Sequence, residues 1–501
     1  MKLRLIGAML ALTAAVTALA GCGETSTGKV AEKGGNVSML IHSHDTWPYD
    51  ETWWAWNKLE EVTGIEFEHI PVANSNFNEK LNILIASGGA PDIFDIGVHD
   101  ANKLGMMGAL KSLDEISEGM DNLNKYADEH EDLLRHLISE DGRIFVFPSN
   151  GVSEGSRMGW LYRKDIFDKH GISVPKTSDE LYSALKKLKE LYPSSYPLTF
   201  RSYQSRMKML LFGWDTGRDY YYDHDEKIWK FAPLDPGYKE AMQYMNKLYT
   251  EGLIPPDFMT ISTENWNSMV STDNAFVTLD YVSRIDEFNN VMRQTNPEFT
   301  LAYLPPVAGG TYGKQLVANN TLSAGNCSVY SKTKNLDAVK RFIDFLYTDE
   351  GIELTSWGVE GETYTVEDGK KKFIDAKTNV EVTKKYGLHT AGVGIVTDLE
   401  SSLSLYSDEL SAALVEARDY ETPFDPRPLY TQEEYDNILG KYSTPLVQYV
   451  NEQSAHFILG KRSFDEWDSY TDDLKKNYHV DEIMNFYNEG TERFYNTEIK
   501  R

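Results

Sequence analysis

The chain has 501 residues, of which 41% are hydrophobic and 12% aromatic, so it can bury two or three cores and is not intrinsically disordered. Its formal net charge is -27 and its acidic residues are scattered, which argues against nucleic acid and anionic membrane surfaces as partners. The 10 tryptophans and 30 tyrosines have flat rings with polar edges, which suit recognition of carbohydrate or peptide, although most should serve in cores or on the surface.

The N-terminus predicts export and lipid anchoring. A short, positively charged start precedes an apolar run over residues 5–20, which ends in the sequence LAGC. This ending resembles a bacterial lipoprotein signal, in which the cysteine, here Cys22, carries palmitate and other acyl chains and becomes the mature N-terminus. Residues 1–21 are then a signal peptide and residues 22–35 a flexible tether. A plain transmembrane anchor is the alternative, but the apolar run is short for a span.

The only other cysteine is Cys327, which leaves no pair for an intramolecular disulfide. Its surroundings read as the start of a strand, so a buried, unreactive thiol is favoured over a nucleophile. Stability must therefore come from the cores.

Strands and helices alternate in the first part of the chain. We predict strands at residues 36–42, 65–70, 93–96 and 142–148, and helices at residues 53–63, 77–86, 104–113 and 123–138. This alternation predicts a parallel, doubly wound α/β sheet.

A polar, glycine-rich segment at residues 149–156 separates this sheet from a second set of elements. Further strands are predicted at residues 160–163, 198–200, 275–281, 299–304 and 316–322, hairpins at 220–231 and 364–373, and helices at 179–191, 237–251 and 336–347. From residue 407 the chain is predicted to be mostly helical, with long helices at 433–459, 463–477 and 480–497.

Polar and aromatic side chains follow two of the predicted strands of the first sheet. They are His44, Asp45, Trp47 and Tyr49 after the first strand, and Asp95, His99 and Asp100 around the end of the third. Ligands of open α/β sheets bind outside the carboxyl ends of strands, so these residues are candidates for a binding site. The alternative is that they are loop residues satisfied by solvent.

Several runs together resemble the extracellular solute-binding proteins of ABC importers. The runs are LNILIASGGAPDIF, GRIFVFP with the following WLYRKDIFDKHGISVPKTSDELYSALKKLKELYP, AFVTLDY, and DAVKRFIDFLYTDEGIELTSWGVEGETY. The likeness is to the oligosaccharide-binding branch, relatives of maltose-binding protein, and it extends in the same order over nearly the whole mature chain.

The resemblance implies an α/β, two-lobed periplasmic-binding-protein-like fold of type II with a helical C-terminal region. It implies three crossings between lobes, a sugar in the cleft and closure by a hinge. The crossings fall near residues 149–155, 317–324 and 359–362. Lobe 1 is then expected at 36–150 and 323–362, and lobe 2 at 151–322 and 363–501.

The resemblance also carries over candidate ligand contacts. His44 with Asp45, and His99 with Asp100, lie where such proteins place polar pairs, and Trp47 and Tyr49 are adjacent. The others are Glu154 in the first crossing, Asp280 and Tyr281 at the end of a lobe 2 strand, and Trp160, Trp214 and Trp357. Carboxylates can bind adjacent sugar hydroxyls and aromatic rings can cover a sugar face. The alternatives are lobe cores for the tryptophans and surface positions for the histidines.

One departure from the family concerns metal. Many long members carry a calcium loop rich in Asp, Asn and Gly, where this chain reads LYPSSYP at residues 191–197, without carboxylates at ligand spacing. We expect no calcium there, and no other metal or cofactor.

The expected function is a lipid-anchored receptor on the extracellular face of the bacterial cytoplasmic membrane. It would capture an oligosaccharide as a monomer and deliver it to an ABC permease. A secreted polysaccharide hydrolase is a rival, but no carboxylate pair stands out and HExxH and phosphate-loop motifs are absent from the sequence, so we expect no enzyme. A receptor for peptides or cationic solutes stays open, because the acidic candidates Asp45, Asp95, Asp100, Glu154 and Asp280 suit a cation.

Overall fold

The structure, a computed structural model, describes residues 34–45, 47–150, 154–319, 327–390 and 393–501. The predicted signal peptide, Cys22 and the tether up to residue 33 lie outside these ranges. Parts of the first two predicted crossings also lie outside them.

The first sheet is built where the sequence predicts alternating strands and helices. The elements are β1 Gly35–Ser43, α1 Trp54–Thr63, β2 Ile65–Ala73, α2 Phe77–Ser87, β3 Ile93–Asp95, α3 Val98–Met106, α4 Leu113–Ile116, α5 Asp121–Glu129 and α6 Glu131–Arg135. Strand β1 pairs in parallel with β2 along its whole length and with β3 on its other side. The predicted parallel pairing is therefore confirmed for β1, β2 and β3.

Residues 142–148, which the sequence predicts as a strand, run as an irregular segment. The backbone N–H of Phe147 donates to the carbonyl of Cys327 at 2.9 Å. The hydroxyl of Ser328 donates to the carbonyl of Phe145 at 2.8 Å. The apolar side chains are buried as predicted. The two bonds do not form the continuous backbone ladder of a strand, because a side-chain hydroxyl donates one of them.

The second sheet has a different pattern of pairing. Its part of the chain contains β4 Met158–Arg163, α7 Lys164–Lys169, α8 Ser178–Leu191, β5 Leu198–Thr199, α9 Tyr203–Phe212, β6 Tyr220–Asp223, β7 Ile228–Phe231, α10 Pro236–Thr250, α11 Thr263–Ser271, β8 Val277–Tyr281, α12 Arg284–Met292 and β9 Leu301–Leu304. The strand order is β5-β8-β4-β9, with β5 parallel to β8 and β4 antiparallel to both β8 and β9. Strands β6 and β7 form the predicted hairpin.

Helix α8 shows how the sequence specifies these elements. The side chain of Thr177 accepts a hydrogen bond from the backbone N–H of Glu180 and so caps the first turn. Leu181, Leu185 and Leu188 follow at helical spacing and are buried in the core of this lobe. The cap and the apolar stripe together fix where the helix begins and which face it buries.

The remaining elements follow residue 326. They are β10 Cys327–Val329, α13 Leu336–Phe345, α14 Asp349–Ser356, β11 Tyr364–Glu367, β12 Lys370–Phe373, α15 Asn379–Tyr386, α16 Leu399–Leu403, α17 Asp408–Arg418, α18 Gln432–Asn437, α19 Leu439–Ile458, α20 Trp467–Asn477 and α21 Val480–Asn496. Strand β10 joins the first sheet antiparallel to β3, and β11 with β12 forms the second predicted hairpin. The C-terminal region is helical, as predicted, but the single helix expected at 433–459 is two helices that divide at Ile438.

Two hydrophobic cores divide the chain into lobes. The first core contains buried residues between Val37 and Phe147 and again from Cys327 to Val396, and the second contains residues from Trp160 to Ala318 and from Leu410 to Phe486. Leu429 and Phe494 return to the first core.

By Leu410 the chain has changed core three times, although the third change differs from the expected position. Residues 376–396 pack in the first core instead of lobe 2, so we propose the third crossing near residues 397–409 rather than 359–362. The crossing segments pair with each other through short bridges, Asn150 with Val396 and Val317 with Glu421.

Candidate ligand cleft

The carboxyl ends of the first sheet face a crossing between the lobes. Because β1, β2 and β3 run parallel, they end at the same edge. Cys327, where the described chain re-enters the first lobe, pairs with Asp95 at that edge. This edge therefore lies beside the second crossing.

The second sheet presents a matching edge. Strand β4 begins at Met158, directly after the first crossing, and Met158 pairs with Tyr281 at the end of β8. Strand β5 is parallel to β8, so Arg201, two residues beyond the end of β5, lies toward the same edge. Both edges adjoin crossings, so the polar ends of the two sheets lie toward the junction between the lobes, where ligands of such sheets bind.

The loop after β1 carries a stacked pair of rings at this edge of the first lobe. The rings of His44 and Trp47 stack with centroids 3.7 Å apart and planes 7° from parallel. The backbone N–H of Tyr49 donates to the hydroxyl of Ser43 at 3.1 Å, which ties the loop to the end of the strand. The hydroxyl of Tyr49 lies 3.0 Å from Nδ1 of His69. Asp45, at the tip of this loop, is exposed.

Asp95 and the residues after it form the adjacent part of this wall. Asp95 is only partly accessible among apolar neighbours such as Met39 and Phe342, and burial raises the pKa of its carboxyl to about 7. His99 and Asp100 are exposed and lie in the first turn of α3 instead of at the tip of the strand. The structure thus brings the lobe 1 candidates to one edge.

Glu154 lies at the first crossing but is held in ion pairs. Its carboxylate is 3.2 Å from Arg157 and 2.9 Å from Arg418, the last residue of α17. Arg157 also pairs with Glu421. Two carboxylates and two guanidinium groups therefore neutralise each other where the chain passes between lobes. This network links the crossing segments. It occupies both carboxylate oxygens of Glu154, which leaves that side chain little capacity to bind a ligand.

Asp280, predicted as a ligand contact, is fully buried. Its carboxylate contacts Arg201 and Arg206, each at 2.8 Å, and Arg284 at 3.1 Å. Burial alone would raise the pKa of Asp280, but the arginines and the backbone N–H of Tyr281 outweigh this effect and hold the pKa below its usual value. The charge that this site presents to solvent therefore comes from guanidinium groups.

Tyr281, the next residue, keeps partial exposure at the cleft edge. The guanidinium carbons of Arg201, Arg206 and Arg284 lie 5.9, 5.3 and 5.9 Å from the centre of its ring. Tyr281 thus presents an aromatic surface with cations around it, and it stays a candidate contact.

Three predicted tryptophans belong to the interior. Trp160 and Trp214 are each 1% exposed and lie in the core of the second lobe. Trp357 is equally buried, and its indole N–H donates to the carboxylate of Asp398 at 2.8 Å. These three side chains are therefore structural in this conformation, because the lobe packing covers their rings.

The sequence reasoning missed Arg201, Arg284 and a small cavity at the crossings. The cavity, of about 40 Å³, is lined by Glu154, Asn379, His389, Thr397, Ser402, Leu405 and Tyr406. Arg201 follows a predicted strand, so the rule that selected His44 would also have selected it. The residues of the cavity come from segments far apart in sequence, and no local pattern indicates them.

Across the ranges that the structure covers, His, Cys, Asp and Glu side chains do not gather in groups of three or more that could hold a metal ion. None of the helices described combines the length and apolar character needed to cross a membrane. The absence of calcium at residues 191–197 stays a prediction.

Comparison with known proteins agrees with this architecture. The family model for bacterial extracellular solute-binding proteins matches residues 48–353. The chain is 25% identical over 466 residues to the fructooligosaccharide ABC transporter substrate-binding protein FusA of Streptococcus pneumoniae, covering 84% of this chain and 83% of FusA. It is 26% identical over 392 residues to the lipoprotein LipO of Bacillus subtilis, covering 74% and 76% of the two chains.

A solved structure shows the same fold. The HMO-binding, ABC-transporter-associated solute-binding protein of Bifidobacterium longum infantis superimposes with a TM-score of 0.74 at 19% identity, covering 92% of this chain and 99% of that one. The two lobes, the crossings and the match over residues 48–353 lead to one conclusion: the chain belongs to the bacterial extracellular solute-binding proteins.

Proposed function

We propose that this chain is the substrate-binding receptor of an ABC transporter, and that it captures an extracellular oligosaccharide between its lobes and delivers it to a membrane permease. The observation that supports the proposal is that Asp45, Trp47 and Asp100 follow the strands of the first sheet, whereas Tyr281 ends β8 in the second lobe, so both lobes carry polar or aromatic groups at strand ends beside the crossings. Carbohydrate sites need both kinds of group, because hydroxyls require hydrogen bonds and sugar faces pack on rings. The similarity to a fructooligosaccharide-binding relative over most of both chains supports the same class of ligand.

Lipid anchoring through Cys22 is part of this proposal. It rests on the LAGC sequence after the apolar run and on the similarity to a lipoprotein. Acyl chains would hold the receptor at the extracellular face of the membrane, and the tether would let it reach the permease. We further propose that it acts as a monomer.

The ion pairs of Glu154 and Asp280 disfavour both of the other functions. Glycoside hydrolysis needs one carboxyl group as an acid and another as a base or nucleophile, whereas Glu154 and Asp280 are occupied by arginines. The same ion pairs remove two of the five carboxylates that would attract a cationic solute. A receptor without enzymatic activity therefore fits the site better.

A thermal-shift panel with mass spectrometry tests the proposal. Purified protein without its lipid would be mixed with oligosaccharides, peptides and polyamines, because a ligand that binds only the folded state raises the melting temperature. We expect at least one oligosaccharide to raise it and to be recovered intact. A shift by peptides or amines alone, or cleavage of the glycan, would overturn the proposal.

A further inference from the structure

The cluster around Asp280, formed by Arg201, Arg206, Arg284 and Tyr281, carries an excess of positive charge. Three guanidinium groups contact this one carboxylate, and Arg284 additionally pairs with Glu287. Three cations therefore face two anions. An excess cation is notable at a cleft edge of a protein whose formal charge is -27.

The outer two arginines have donors to spare. Arg201 uses Nε and Nη2 on Asp280, and Arg284 uses Nε on Asp280 and Nη1 on Glu287. Among the residues that the structure describes, Nη1 of Arg201 and Nη2 of Arg284 have no hydrogen-bond partner. Both side chains retain some solvent exposure, 14% and 18%, whereas Arg206 is buried.

The two outer guanidinium groups are also fixed in position. Each contacts Trp266, with distances to the ring centre of 5.3 Å for Arg201 and 5.5 Å for Arg284, and each also lies 5.9 Å from the ring centre of Tyr281. Stacking on rings restricts the planar groups before any ligand arrives, so less entropy is lost on binding. Helix α12 begins at Arg284 without a side-chain cap, so the positive end of its dipole lies at the same place.

We propose that Arg201 and Arg284 form an anion subsite of the cleft, and that the oligosaccharide this receptor takes carries a carboxylate, as a uronic-acid sugar does. The subsite rests on the proposed receptor function. Planar guanidinium groups match a carboxylate in geometry and in charge. The exposed Asp45 and Asp100 on the opposite lobe would accept hydrogen bonds from the hydroxyls of the same ligand.

Calorimetric titration with matched ligands tests the subsite. Oligogalacturonate of defined length would be compared with its methyl ester, with a sulfated oligosaccharide and with a panel of neutral oligosaccharides. We expect the free acid to bind about 10- to 100-fold more tightly than its ester, with affinity falling as salt is added. If only the sulfated sugar binds tightly, the anion subsite stands, but the proposal that its ligand carries a carboxylate is overturned.

A pair of variants at the two ends of one helix provides the protein-side control. Arg284→Gln removes one outer guanidinium, whereas Arg293→Gln, at the far end of α12, removes an arginine that pairs with Glu409. We expect the first change to weaken the acid by about tenfold, with little effect on the ester, and the second to affect neither ligand. The melting temperature of each variant without ligand reports whether it folds. The comparison of acid with ester uses the wild-type protein, so it tests the subsite even if a variant does not fold.

The outcomes separate the subsite from the receptor function. Equal binding of acid and ester, or a preference for neutral oligosaccharides, would overturn the anion subsite and leave the receptor in place. If no glycan of any kind binds the folded protein, the proposed function fails and the subsite fails with it.

Discussion

Two aspartates of the predicted site show how residues of one type take different roles. Asp100 is exposed at the start of α3, whereas Asp280 is buried among three arginines. Both were predicted from their positions near the ends of strands. The sequence could not separate them, because two partners of Asp280, Arg201 and Arg206, are distant from it in sequence.

The two aspartates should respond differently to alanine. Asp280→Ala leaves buried guanidinium groups without their carboxylate, so we expect the free energy of unfolding to fall by about 3–5 kcal/mol. Asp100→Ala should change it by less than about 0.5 kcal/mol while weakening ligand binding. Urea denaturation and calorimetric titration of both variants measure these effects. If Asp100→Ala destabilises the empty protein and spares binding, Asp100 is only a loop residue.

Asp95 predicts a pH-dependent contribution to stability. Burial raises its pKa to about 7 in the folded chain, compared with about 4 when unfolded, so the folded state keeps a proton that the unfolded state releases. The contribution of Asp95 to the free energy of unfolding is therefore most favourable below about pH 4, and it declines as the pH rises from about 4 to 7.

Asp95→Asn should remove this decline. Because the side chain keeps some solvent contact, we expect the variant to gain about 1–3 kcal/mol over the wild type between pH 4 and pH 8. Urea denaturation at both pH values measures the gain. The same pH dependence in both proteins would contradict the assignment.

At the scale of elements, the type of element was easier to predict than its exact place. Apolar periodicity located β1, β2 and β3 within a few residues, because each strand buries its own side chains. It placed a helix at 104–113, whereas α3 covers Val98–Met106, since its packing is decided by contact with the distant Phe145. His99 and Asp100 therefore belong to a helix instead of a loop.

Gly105 is the point at which α3 meets the core. A Cβ atom added there would lie 2.3 Å from Cγ of Phe145, so Gly105→Ala must displace the ring or the helix. We expect a loss of about 1–3 kcal/mol in the free energy of unfolding, together with weaker ligand binding, because α3 carries Asp100. Lys103→Ala, on the exposed side of the same helix, is the matched control and should change stability by less than about 0.5 kcal/mol. Equal stability of the two variants would show that α3 does not need this close approach.

At the scale of the molecule, the resemblance of whole runs predicted more than any single motif. It implied the two lobes and three crossings, and the cores divide the chain in that way. It did not indicate that residues 376–396 pack in the first core, because this return depends on tertiary packing that no local pattern encodes.

The C-terminal region contacts both lobes. Arg135 of the first lobe donates to the backbone carbonyl of Phe494 at 2.9 Å, and Arg427 donates to the carbonyl of His136 at 3.1 Å. At the crossings, Arg418 of α17 pairs with Glu154. The helical region therefore spans the junction between the lobes, and closure has to occur while these contacts persist or rearrange.

Closure of the lobes on an oligosaccharide is the central claim, and the distance between the lobes tests it most directly. Dyes attached to Ile83→Cys in the first lobe and Val291→Cys in the second occupy exposed positions, and the buried Cys327 should not react. Single-molecule energy transfer would be recorded while the oligosaccharide that raises the melting temperature is added. We predict that the distance between the dyes shortens with the same concentration dependence as binding. Saturation with the oligosaccharide at an unchanged distance would contradict the claim.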